Sequence, residues 1–271
     1  MASKEIIYPL VSVIVPTYNR PHLLGRTISS LLGQSYPNTE IVLVNDGGVD
    51  VQEIVDSINK QHQVVKYINL SEHKGAGTAR NTALDACRGS YICFLDDDDI
   101  FLPYTLEFRM HMMKKLRAEV VYTRALRDIW ETKDGKYVSI HKELYWDCAF
   151  NKDLLLIQNV APICCILFSR KAWDNSGNYK FDTDLETGED YDFFVALSRK
   201  TDFKELLLVD VEASYRKDKS QATGAKDFSI SYPIIYKRWR DTAIEKERVI
   251  ESQNAMLKQM GKNPADYGLE A

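Results

Sequence analysis

The stretch GAGTARNTALDACRGSYICFLDDDD, residues 75–99, decides how this 271-residue chain is read. A turn containing Gly75 and Gly77 opens a helix, an apolar run of strand length follows at 91–95, and four aspartates, Asp96 to Asp99, stand directly after it. Working outward, apolar runs of similar length recur at 11–15, 41–44 and 64–69, alternating with helical patterns. Between the first two, Asn19, Arg20 and Pro21 make a helix start, and Leu23, Leu24, Ile28, Leu31 and Leu32 line one helical face. This alternation predicts βαβ units and an α/β fold with a mainly parallel sheet flanked by helices. In open sheets of that kind ligands bind outside the carboxyl ends of the strands. The loops at 16–19, 45–50, 71–77 and 96–99 are therefore expected to line one crevice.

The second half is less regular. It offers a strand pattern at 120–125, an Asp134-Gly135 hairpin signal before 137–140, and a buried-looking strand at 163–168. These read as an extension of the same domain, giving a catalytic domain over 1–225 with halves at about 11–100 and 101–225. From about Ser229, Ile234, Trp239, Ala243, Val249, Ile250 and Met256 predict one long helix, broken by Gly261 and Pro264, so 226–271 is a C-terminal helical extension.

Composition excludes several partners. The net charge of −4 arises from 35 basic and 39 acidic residues mixed along the chain, which leaves no continuous surface for a nucleic acid. The first ten residues lack the apolar core of a secretory signal, and no apolar run has the length of a membrane span. Five cysteines are scattered, with Cys164 and Cys165 inside an apolar run, so a reducing cytoplasm is expected, at most at the inner face of a membrane. No histidine stands at a zinc-ligand spacing; any metal is expected to be held by oxygen, which favours Mg2+ or Mn2+.

Four features carry chemistry. The first is the aspartate run. Two like charges about 4 Å apart repel by roughly 1 to 4 kcal/mol at surface-like dielectric, and a dication would convert that repulsion into binding. A solvated acidic run leading into a helix is the bland alternative, but the position after a strand favours a site. Asp96 and Asp98 have the spacing to share a cation with substrate phosphates. The second is Asn45-Asp46-Gly47-Gly48, where Asp46 can accept the imide N–H of a uracil or simply form an Asx turn. The third is Gly75-x-Gly77, which mimics a dinucleotide fingerprint, although Arg80 stands where a third glycine is needed. Arg80 can contact a donor's base or phosphates, or lie on a helix surface. The fourth is Gly188-Glu189-Asp190-Tyr191-Asp192, a glycine turn entering an apolar helix. Its acids are either helix caps or the general base that transfer to a hydroxyl requires.

Taken together, VSVIVPTYNR, EIVLVNDGG, GAGTARNTALDACRGSYICFLDDDD and GEDYDFF resemble the family 2 glycosyltransferases of the GT-A fold, in the same order over about residues 11–215. The resemblance implies an inverting, metal-dependent transfer of a sugar from a nucleotide-sugar, a UDP-sugar above all, to a hydroxyl of a saccharide or lipid-linked saccharide. It also implies residue roles. Tyr18 would lie against the base, Asp46 would bind its imide, and Arg80 would support the same moiety. Asp97 would reach the ribose or sugar, Asp98 would hold Mn2+ or Mg2+ with Asp96 completing the Asp-x-Asp pattern, and Asp190 would be the general base. Pro16 and Thr17 fall in the donor-contacting loop. One departure is Tyr215-Arg216-Lys217-Asp218, where many relatives carry a metal-associated histidine in place of Asp218.

Two other readings remain. A nicotinamide oxidoreductase would use the Gly75-x-Gly77 turn, and an idle sugar- or nucleotide-binding module would need neither the acidic run nor a base. The aromatic and basic residues at 232–240 could touch a membrane, but the acids Asp241, Glu245 and Glu247 favour packing against protein.

Overall fold

β-branched side chains are stiff at χ1 and pack well on a pleated surface, so VSVIVPT forms strand β1 (Val11–Thr17), buried along its whole length, and TEIVLVN forms β2 (Thr39–Asn45). A computed structural model of the chain describes residues 7–134, 136–145, 150–216 and 228–269. β2 pairs in parallel with β1 and with β3 (Val65–Asn69), and β1 pairs in parallel with β4 (Tyr91–Phe94). Burial on both faces explains why β1, β2 and β4 read as largely apolar runs, whereas the edge strand β3 is only partly buried and carries Lys66.

Three helices complete the βαβ units: α1 (Pro21–Leu32), α2 (Gln52–Asn59) and α3 (Ala76–Ala86). Proline at the first turn of α1 loses no intrahelical bond there. Leu24, Thr27, Ile28 and Leu31 form its buried face. Pro16 sits inside a central strand without breaking it. Thr17 accepts from Asp46 on the β2 side and Ile14 from Leu95 on the β4 side, so Pro16, in step with Ile14, turns its donorless nitrogen toward the place where β4 has already ended.

Beyond β4 the sheet becomes mixed. The spatial order is β3-β2-β1-β4-β8-β6-β9-β5, with β7 on the free part of one edge of β6. Here β5 is Ile100–Phe101, β6 Val120–Lys133, β7 Lys136–Tyr145, β8 Ile166–Ser169 and β9 Phe203–Arg216. β6 outruns the expected 120–125 because both its edges are satisfied: β9 runs parallel along one, while β8 and then β7 occupy the other. The expected strand at 163–168 begins as a 3-10 turn at Ile163–Cys165 and becomes extended only at β8. Gly135 of the hairpin signal lies outside the described residues.

Between these strands lie α4 (Thr105–Leu116), α5 (Lys152–Leu155), α6 (Arg170–Asn175) and α7 (Glu189–Lys200). The C-terminal segment holds α8 (Tyr232–Trp239) and α9 (Lys246–Gln259) in place of the single long helix that its periodicity suggests. The break follows from polar anchoring at the bend. Arg240 turns inward to Gln253 and Asn254, and the Asp153 carboxylate accepts the N–H groups of Ile244 and Glu245 just ahead of α9. A continuous helix could not present those amides to α5.

Candidate active site

The carboxyl ends of β1, β2 and β4 are side by side, and the polar residues that follow them form three linked groups. At the end of β4 the chain turns through the acidic run, with Asp99 N–H donating to Asp96 O at 3.0 Å. The four acids have distinct surroundings. Thr17 donates to Asp97 at 2.7 Å, and Arg20 reaches Asp97 at 2.6 Å and Asp98 at 3.3 Å. Burial pushes the Asp97 carboxyl up to about 7, with Asp98 and Asp96 adding to the shift and Arg20 and Thr17 opposing it. Asp99 is buried and accepts from Ser214 N–H of β9 at 2.8 Å, while its own carbonyl accepts from Thr27 of α1. It fastens the run to two neighbouring elements.

Asp96 belongs to a second group. Arg80, almost wholly buried on α3, donates to Asp96 at 2.8 Å and to Glu189 at 2.9 Å. The guanidinium thus bridges the strand ends to the first turn of α7. Gly188, at φ 72°, supplies the left-handed backbone from which α7 starts. Asp190 follows Glu189, keeps part of its surface exposed, and accepts the N–H of Tyr191 at 2.8 Å. Loss of water around its carboxylate, then the charge of Glu189, pushes it up to about 7 against the pull of Arg80. Arg80 therefore links Asp96 with Glu189.

The third group surrounds Asp46, which is buried. Its carboxylate accepts the N–H groups of Lys74 at 2.9 Å and Gly75 at 2.7 Å, and His73 Nδ1 stands 2.7 Å away. The His73 ring stacks on Tyr18 with centroids 3.9 Å apart. Gly47, at φ 69°, permits this approach, since a Cβ there would collide with the backbone of Glu72. The arrangement also counts against the dinucleotide reading, because two amides just ahead of α3, those of Lys74 and Gly75, are engaged by Asp46.

Two members of the site, Arg20 and His73, went unnoticed in the sequence beyond a helix start and a loop. Arg20 follows β1 and the acids follow β4, so only the adjacency of those strands brings them together. Together Arg20 and Arg80 supply part of the counter-charge that the acidic run was expected to take from a metal alone. Among the described residues no three His, Cys, Asp or Glu groups gather as a cation cage. The donor chemistry nonetheless fits a magnesium-type ion, which takes one or two carboxylates and completes its shell with water and phosphate. Asp98 pairs with Arg20 at 3.3 Å, and one oxygen of Asp96 is held by Arg80. Lys217 and Asp218, where a further ligand was sought, lie outside the described residues. So does part of the chain between β9 and α8.

Comparison with known proteins agrees with this geometry. A model of glycosyl transferase family 2 matches residues 12–176. The chain is 29% identical over 222 residues to the Escherichia coli UDP-Glc:alpha-D-GlcNAc-diphosphoundecaprenol beta-1,3-glucosyltransferase WfgD, covering 80% of this chain and 81% of that protein. Other relatives are much longer: the chain spans 32% and 29% of two uncharacterized glycosyltransferases of Rickettsia felis and Rickettsia bellii. The structure of S. aureus TarS in complex with UDP-GlcNAc superposes with a TM-score of 0.70 at 16% identity, covering 94% of this chain and 74% of that one. The mannosyltransferase PcManGT of Pyrobaculum calidifontis, in complex with GDP-Man and Mn2+, gives 0.57 at 17% identity, covering 94% and 76%. A family match over more than half of the chain, carried on the same α/β architecture, has one conclusion: this protein belongs to glycosyl transferase family 2 and has the GT-A fold.

Proposed function

We propose that this chain transfers a sugar, with inversion, from a UDP-sugar to a hydroxyl of a saccharide or lipid-linked saccharide, in the assembly of a polysaccharide or glycoconjugate. The observation that carries this reading is the Arg80 bridge. One guanidinium joins the acidic run, where a cation and diphosphate would be held, to the α7 turn that bears Asp190. A single displacement needs those two functions on one crevice, on opposite sides of the sugar.

In this reading Tyr18 offers its ring to the base and Asp46 accepts the base imide, which must take the place of His73 Nδ1 on that carboxylate. Thr17 and Arg20 hold Asp97 toward the ribose or sugar. The buried Pro16 shapes the loop ahead of them, and Arg80 aligns Asp96 with Glu189. Asp98, with Asp96 beside it, would hold Mg2+ or Mn2+; when bound, the ion stabilises the charge that develops on the diphosphate. Asp190 takes the proton of the acceptor hydroxyl as its oxygen forms the bond to the anomeric carbon. The bond from that carbon to the diphosphate oxygen breaks, and its electron pair leaves with the nucleotide. A carboxylate pushed up to about 7 is a far better proton acceptor than an ordinary one and is still ionised in slightly alkaline solution.

The E. coli relative acts from UDP-Glc onto a diphosphoundecaprenol-linked sugar, and the S. aureus neighbour binds UDP-GlcNAc, which together support a UDP-sugar and an acceptor of that class. Among the described residues no helix is long and apolar enough to cross a membrane. The test is a screen of nucleotide-sugars for nucleotide release, with and without a chelator. Turnover of a UDP-sugar that stops in excess EDTA is expected. Full turnover in EDTA would remove the cation from the mechanism.

A further inference from the structure

α7 begins with three acids in four positions, and the middle one, Asp190, is the base of the proposed mechanism. Asp192 is different: its side chain is completely buried. A carboxylate in such a place is costly unless every lone pair has a donor. Here Trp239 Nε1 donates to one oxygen at 2.7 Å, and Arg238 Nη1 at 2.7 Å and Tyr179 Oη at 2.8 Å donate to the other. Trp239 and Arg238 belong to α8, more than forty residues along the chain and outside the part that matches the family model.

The rest of the turn is held by the same segment. Thr187 and Ser231 share a hydrogen bond at 3.0 Å, a Cβ on Gly188 would already meet Ile235 at 3.4 Å, and the Tyr191 ring lies 5.4 Å from that of Tyr232. Arg238 also pairs with Asp182, on the loop that leads into the turn. Contacts therefore fall on 187, 188, 191 and 192, on both sides of Glu189 and Asp190. From the donor side, Arg80 fastens Glu189 and Phe94 packs against Phe193.

We propose that the C-terminal segment is a working part of the active site, with Trp239 and Arg238 as positioning residues that fix the first turn of α7 and so aim Asp190 at the acceptor hydroxyl. This rests on Asp190 being the base. The physical reason for a polar clamp here is direction. Apolar packing would hold α7 down equally well but would let it rotate or slide, whereas three donors converging on one carboxylate set its register. Misplacement of a reacting group by about 1 Å can cost about 10²-fold in rate, so small loosening is visible in turnover.

The experiment uses the full chain and compares wild type, Trp239→Phe, Arg238→Gln, Asp190→Asn and the Asp190→Asn/Trp239→Phe double variant. UDP release is followed from a panel of UDP-glucose, UDP-galactose and UDP-N-acetylglucosamine, and the Kd of UDP is measured by calorimetry. Trp239→Phe keeps an aromatic ring while removing the N–H donor together with the pyrrole half of the indole; Arg238 is partly exposed and gives a second, milder variant should the first misfold. Each single clamp variant is expected to lower kcat by about tenfold with the UDP Kd within twofold of wild type. In the Asp190→Asn background Trp239→Phe should have no further effect, because it acts through the group already removed. Unchanged kcat in both clamp variants, or an equal loss with and without Asp190, overturns the clamp. A fully active Asp190→Asn, or no turnover of any donor in the panel, instead overturns the reading on which the clamp rests.

Discussion

The acidic run after β4 and the acidic turn that opens α7 are alike in sequence and opposite in construction. Asp96 to Asp99 follow a strand and are balanced by groups drawn from elsewhere: the side chains of Arg20, Arg80 and Thr17 and the backbone N–H of Ser214. Glu189, Asp190 and Asp192 stand at a helix N-terminus, which itself favours negative charge. There Glu189 is tied to Arg80 and Asp192 to Arg238, Trp239 and Tyr179. In each group most acids have structural work: Asp96, Asp97 and Asp99 in the run, and Glu189 and Asp192 in the turn, whereas Asp190 accepts a backbone N–H from its own turn. Clusters of carboxylates are thus best read by asking which members are already engaged.

The comparison breaks most visibly at Asp190. Asp190→Asn keeps the shape of the side chain but cannot accept the acceptor's proton, and turnover is expected to fall by about 10²- to 10⁴-fold while UDP binding by calorimetry stays near wild type. If Glu189→Gln were dead and Asp190→Asn active, the two adjacent acids would have to exchange roles.

A pH profile sharpens the same point. Asp190 works as the ionised form, and burial and Glu189 have raised it to about 7. The sign follows directly: kcat/KM should be at its plateau above that value and be lost as the pH falls through it. An acid limb near the ordinary carboxylate range would show that Asp190 is not the titrating base.

Within the acidic run, Asp98→Asn and Asp99→Asn should separate function from architecture. Asp98→Asn is expected to lose most activity and to regain part of it at high Mn2+ concentration. Asp99 is buried and pushed well above the ordinary carboxylate range, chiefly by burial. Its asparagine variant can still accept from Ser214, so activity near wild type and a stability change of no more than about 1 kcal/mol are expected, read by thermal melting and by UDP release.

The smallest effect concerns the base pocket. Asp46→Ala should weaken UDP binding by about 1 to 3 kcal/mol, measured by calorimetry. Asp46→Asn should lose less, because its oxygen can still accept the Lys74 or Gly75 amide that shapes the loop. Equal binding by all three proteins would leave Asp46 as a loop former only.

β1, β2 and β4 and their polar ends were legible because buried parallel strands are near-continuous apolar runs bounded by polar residues, a pattern local to the chain; the edge strand β3 shows it more weakly. Arg20 and His73 were not, because their partners belong to strands adjacent only in the folded sheet. The break between α8 and α9 escaped for a related reason: periodicity records the apolar face, whereas the break is made by Arg240, Gln253 and Asp153. The polarity of the 232–240 segment was read as a choice between membrane and protein, and Arg238 and Trp239 do pack on protein, at Asp192.

A single displacement at the anomeric carbon inverts its configuration, and this is read directly in the sugar first released when the enzyme turns over an α-linked UDP-sugar, followed by proton NMR before mutarotation. The β-anomer should form first. Initial release of the α-anomer would mean retention, and Asp190 would then have no place as the base of an inverting transfer.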